Sequence, residues 1–179
     1  RNIDGYFERG ITLQFFEQCK KELEKLYSHC NLHVVSTRTP GETIKELQNA
    51  NFANRLQVDL FLSIHFYQEK KVKSDVFLYY FSYGDDFVTK KYDLQFWPYD
   101  KAHLVQFDVT HAWIHEIKEQ LMQKQYQHLF CLQGPFKLPF APLIGVTAPA
   151  IGIEIGLKNK SDWLNYVSPI VACLAPLIK

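Results

Sequence analysis

Hydrophobic residues recur three or four apart through "ITLQFFEQCKKELEKLY" (Ile11–Tyr27), at Ile11, Phe15, Cys19, Leu23 and Leu26. That spacing predicts an amphipathic helix with one buried stripe. The pattern then shortens. "LHVVSTR" (Leu32–Arg38) is β-branched and reads as a strand, closed by the turn residues Thr39–Gly41. Helical spacing returns in "ETIKELQNANFANRL" (Glu42–Leu56). "DLFLSIHF" (Asp59–Phe66) is almost wholly apolar, as a strand covered on both faces would be, and "DVFLYYF" (Asp75–Phe81) predicts the next strand.

Between Ser82 and Phe107 the pattern is irregular and aromatic-rich, which predicts a long loop or insertion. "VTHAWIHEIKEQLMQKQ" (Val109–Gln125) has helical spacing, and "HLFCLQ" (His128–Gln133) is short and strand-like. A Pro/Gly-rich path follows over Gly134–Pro149. "AIGIEIG" (Ala150–Gly156) is a strand, and Ser161–Lys179 a terminal helix with Ser161 as N-cap and a bend or restart at Pro169. Strands alternating with helices predict an α/β domain with a mostly parallel twisted sheet and helices on both faces. A chain of 179 residues fits one such domain, 1–179, with 82–107 as its insertion.

Composition adds little except rings. There are 14 Phe, 10 Tyr and 3 Trp, enough to line a groove as well as fill a core. A net charge of +1 gives no support to nucleic-acid binding. The local lysine clusters (Lys20, Lys21, Lys25; Lys70, Lys71, Lys73) read as solvated faces. Cys19, Cys30, Cys131 and Cys173 lie too far apart for a zinc knuckle or a redox pair and read as buried thiols. No apolar run reaches the length of a membrane helix, and no Gly-rich loop follows a strand as a nucleotide site would need.

Three polar groups stand out. His65 closes the apolar third segment, Glu154 lies between Ile153 and Ile155, and Glu8 immediately precedes the first helix. His65 and Glu8 each have an ordinary alternative, as a hydrogen-bonded strand-end histidine and an acid complementing a helix dipole. Glu154 is harder to place, because a carboxylate buried in an apolar strand must be paired, protonated or beside a metal. Histidine with carboxylate is a normal donor set for Zn²⁺. His33, His103, His111, His115 and His128 are further donors; His111 and His115 are four apart on one helix and read as a surface pair.

Four ordered blocks, "ERGITLQFFEQCKKEL", "VVSTR", "NFANRLQVDLFLSIH" and "APAIGIEIGLKNKSDW", resemble the zinc-dependent N-acetylmuramoyl-L-alanine amidases, from about Tyr6 to the C-terminus and most weakly between Phe81 and Gly134. The resemblance implies Glu8 and His65 as zinc ligands and Glu154 as catalytic base and acid. It implies cleavage of the amide joining muramic acid to L-alanine in peptidoglycan, a periplasmic or other cell-envelope location, and a regulatory protein partner. Leu157 departs from the family's usual Phe, and the helix Arg usual before "AN" is lacking. The family opens with a strand carrying "DPGHGG", whose His is the remaining ligand, whereas "RNIDGYF" alone precedes Glu8. The expectation is an N-terminal strand lying upstream of Arg1. The alternative is a degenerate amidase-fold module that binds peptidoglycan or a protein.

Overall fold

The computed structural model describes residues 1–42, 44–83 and 98–178. The predicted insertion therefore lies largely outside the described residues. A two-stranded antiparallel ribbon, β1 (Asn2–Ile3) and β2 (Tyr6–Phe7), leads into helix α1 (Glu8–Leu26). Helix α2 (Glu46–Leu56) precedes β3 (Phe61–Gln68) and β4 (Ser74–Phe81). Then come a 3-10 turn at Ala102–Gln106, α3 (Phe107–Leu121), β5 (Phe130–Leu138), β6 (Ala150–Leu157) and α4 (Leu164–Leu174). The main sheet runs β3-β6-β4-β5. β3 pairs with β6 and β4 with β5 in parallel, while β4 and β6 are antiparallel. It is an α/β fold with a mixed, mostly parallel sheet flanked by helices.

Alternation along β6 divides the molecule. Ile151, Ile153 and Ile155 are fully buried on one face with Phe66 and Leu78, against Ile11, Phe15 and Cys19 of α1, Ile114 and Ile117 of α3, and Ile170 and Cys173 of α4. Phe15 meets Phe66 edge-on at 5.3 Å, a favoured aromatic geometry. Gly152, Glu154 and Gly156 point the other way. On that second face α2 covers only one end, where Ala50 and Ala53 join Phe61, Phe81, Leu143 and Ala150 in a smaller cluster. Asn54 fastens the helix there: its amide donates to the Gly145 carbonyl at 2.8 Å, and its Oδ1 accepts from Thr147 N–H at 2.9 Å and the Thr147 hydroxyl at 3.0 Å.

Several expectations need correction. Residues 32–36 form no strand, because no neighbouring chain among the described residues offers them a ladder; Leu32 and Val34 merely pack on the core. β3 does not end at His65 but continues to Gln68. Nor is β3 apolar on both faces, since Ser63, His65 and Tyr67 alternate with Leu62, Ile64 and Phe66. β5 extends from Phe130 through Gly134 and Pro135 to Leu138, with a register shift opposite Phe77 and Tyr79. Gly134 has φ +94 there, and a Cβ would lie 2.7 Å from the Leu78 carbonyl oxygen, so the bulge demands glycine. Ser161 bonds Asn159 rather than capping α4, which starts at Leu164 and runs through Pro169. Leu26 is exposed. Of the four free cysteines only Cys19 and Cys173 are buried. Burial, aided by Glu22, pushes the Cys19 thiol up to about 12.

Candidate active site

His65 and Glu154 occupy directly paired positions of the parallel β3·β6 ladder, so both side chains emerge on the second face of the sheet. Glu8 reaches them from the first residue of α1. Its Oε1 accepts from the Phe66 N–H at 3.0 Å, using a backbone donor on the free edge of β3, and lies 3.1 Å from His65 Nδ1. A His65 ring donating from Nδ1 to Glu8 accepts at Nε2 from the Ser63 hydroxyl, 3.0 Å away. Burial alone would raise the Glu8 pKa. The hydrogen bonds from His65 and Phe66 N–H, with the charges of His65 and Arg1, nevertheless hold it below the ordinary carboxylate range.

Glu154 resolves the puzzle of an acid between isoleucines. Alternation sends the isoleucines into the core and Glu154 to a face where its side chain is 15% exposed. Its Oε1 pairs with the Arg1 guanidinium at 2.6 Å, and its Oε2 accepts from the Tyr79 hydroxyl at 2.9 Å. Burial first, and then that bond to an anion, push the Tyr79 phenol up to about 12. Tyr79 stacks on Phe140 at 4.7 Å, and Phe140 meets the His65 ring edge-on at 5.8 Å. Phe140 also presses on β6: a Cβ at Gly152 would lie 2.6 Å from its ring. Glu154 thus sits in a gap that the neighbouring glycines keep open beneath aromatic rings.

All three predicted site residues are therefore brought together. Tyr79, Ser63 and Phe140 were missed. Alternation could have found two of them, since Tyr79 shares the parity of Phe77 in β4 and Ser63 that of His65 in β3; Phe140 lies in a Pro-flanked connection that carries no pattern. The surface pair His111 and His115 stays apart from the site, exposed on α3 with rings 4.6 Å apart.

Positive charge at the cluster comes from Arg1, whose guanidinium pairs with Glu154 and whose α-amino group lies 3.8 Å from Glu8 Oε2. Glu8 and His65 are donors of the kind zinc takes, and the cluster fits that ion in chemistry. In number it supplies two ligands: among the described residues, no group of three or more His, Cys, Asp or Glu is arranged around a common point.

Residues 1–169 match the family model described as N-acetylmuramoyl-L-alanine amidase, and the chain belongs to that family. Solved structures agree in fold. An N-acetylmuramyl-L-alanine amidase of Mycobacterium smegmatis superposes with TM-score 0.68 at 16% identity, covering 99% of this chain and 80% of that one. The Nostoc punctiforme amidase gives 0.65 at 16%, covering 99% and 87%. The catalytic domain of the CwlV amidase of Bacillus (Paenibacillus) polymyxa gives 0.61 at 15%, covering 97% and 87%. Comparison with curated protein sequences found no match. Among the described residues no helix is long and apolar enough to cross a membrane.

Proposed function

We propose that this protein is a zinc-dependent hydrolase of the bacterial cell envelope, periplasmic or exported, that cuts the amide between the lactyl group of N-acetylmuramic acid and L-alanine. The observation that supports it most is the convergence of Glu8, His65 and Glu154 in a member of the amidase family. Glu8 and His65 would hold the ion, exchanging their mutual hydrogen bond for it. Bound zinc supplies Lewis acidity that polarises a carbonyl and acidifies water. Glu154 carries the protons. With Oε2 held by Tyr79, the atom free to exchange them is Oε1, once the Arg1 guanidinium gives way. It takes a proton from the attacking water and returns it to the departing L-alanine nitrogen, as a positioned carboxylate does in general acid–base catalysis.

The test is digestion of purified peptidoglycan by the full-length protein, with mass spectrometry of released peptides bearing a new L-alanine amino terminus. Glu154→Gln should keep the fold and lower the rate by about a hundredfold or more, the range for loss of a general acid–base group. Near-native release by that variant would refute the role.

A second reading rests on the two-ligand count. In it the domain is a binding module that retains the amidase fold and grips peptidoglycan without cutting it. Metal-free protein that still binds muropeptides would favour that module.

A further inference from the structure

Helix α3 carries donor groups that the proposed hydrolysis does not use. Its buried residues Ile114, Ile117 and Leu121 join the core on the first face of the sheet, opposite the face that bears His65 and Glu154. The outer stripe of the helix reads Asp108, His111, His115 and Glu119, all exposed and spaced three or four apart, so the four share one helix face. The His111 and His115 rings lie 4.6 Å apart with their planes tilted by 59°. That tilt excludes face-to-face stacking. Two imidazoles bound to one ion through nitrogens about 2.1 Å from it, at an N–ion–N angle of about 90–110°, put their ring centroids about 4.5–5.2 Å apart. The pair has the spacing of two rings on a shared ion.

Neighbouring rings brace His111. Phe107 stacks on it at 6.3 Å, and Tyr80 of β4 meets it edge-on at 6.0 Å. Among the described residues no hydrogen bond or ion pair engages the ring nitrogens of His111 or His115, whereas both nitrogens of His65 are engaged. Lys137 of β5 approaches this end of the helix, but its ammonium lies over the Phe107 ring, 5.8 Å from the centroid. Asp108 and Glu119 are not gathered around the same point as the imidazoles; they bracket the pair with negative charge that attracts a cation.

We propose that His111 and His115 form a second metal site, for a divalent transition ion of the borderline class that imidazole suits, zinc among them. Two histidines four apart on a helix chelate an ion from successive turns, and water completes its shell. Such a site binds in the micromolar range and is emptied by dialysis. The ion would tie two turns of α3 together on the far side of the sheet from the proposed hydrolytic centre. The inference goes beyond the amidase reading and does not depend on it.

The experiment is calorimetric titration with zinc alone of the full-length His65→Ala protein, in which the proposed hydrolytic centre is disabled. It should bind zinc at α3, and zinc should raise its Tm by ligand linkage. Adding His111→Ala or His115→Ala should weaken that binding by about tenfold or more, because the second imidazole is no longer delivered at high effective concentration. Both substitutions fall on the exposed stripe and leave the core untouched. A further variant, His115→Ala with Glu116→His, keeps the histidine count but turns the second ring about 100° around the helix. It should not recover the affinity. Zinc binding to His65→Ala that ignores both histidines, or that returns fully in the register-shifted variant, would overturn the site, as would no binding by His65→Ala at all. Loss of all zinc from the wild type on His111→Ala alone, with none lost on His65→Ala, would keep the helix site and contradict the hydrolytic centre.

Discussion

Replacing Gly152 with alanine tests whether aromatic packing above β6 builds the site. In an ordinary strand the change should stabilise, since glycine in a strand interior is less favourable than alanine by about 0.5–1 kcal/mol. Here the new Cβ would stand 2.6 and 2.8 Å from two ring carbons of Phe140 and 3.3 Å from Tyr79 Cβ. Contacts under 3 Å force a shift. The ring is rigid and packed between Tyr79 and His65, so it must rotate as a unit. Overpacking of this kind costs about 1–3 kcal/mol. Subtracting the intrinsic gain leaves a net loss of up to about 2.5 kcal/mol, or several degrees at most in Tm for a chain of this size. Urea denaturation followed by far-UV circular dichroism reads it. Phe140→Ala in the same chain should remove most of the penalty, giving a coupling of opposite sign in a double-mutant cycle. A stabilised Gly152→Ala, or additive behaviour with Phe140→Ala, would refute the packing argument.

Other consequences follow from single contacts. Asn54→Ala strands the Gly145 carbonyl and the Thr147 N–H, and with their unsatisfied cost it should destabilise by about 2–4 kcal/mol; denaturation midpoints check this. Tyr79 has a folded-state pKa of about 12, above its ordinary value of about 10. The stabilisation of its neutral form is complete below pH ~10 and is lost as pH rises through ~12. Between those values the wild-type midpoint should therefore fall more steeply than that of Tyr79→Phe, and parallel curves would contradict the assignment.

Much of this site was legible, and the reason is periodicity. α1 announced itself through Ile11, Phe15, Cys19 and Leu23, all buried. His65 and Glu154 were conspicuous as polar groups in apolar strands, although glycine concealed the alternation that puts Glu154 on the second face: a residue without a side chain marks neither side. The predicted strand at Leu32–Arg38 failed because β-branched composition describes a chain that fits a ladder and does not supply the partner. β5 was cut short by reading Gly134 and Pro135 as a break, whereas a bulge carries the strand past them. Nothing local marks Asn54 as the fastening between α2 and residues 145–147, because its partners lie 91 and 93 residues away along the chain. Contacts between distant segments, such as Phe140 on Gly152, leave no local pattern at all.

The central claim is that Glu8 and His65 serve one ion while Glu154 stands beside it as the proton carrier. Zinc titration of the full-length protein, with bound metal counted by mass spectrometry after dialysis, tests it most directly. The account predicts tight zinc in the wild type, retained by Glu154→Gln and lost by His65→Ala and Glu8→Gln. Zinc held equally well without His65 and Glu8 would contradict it.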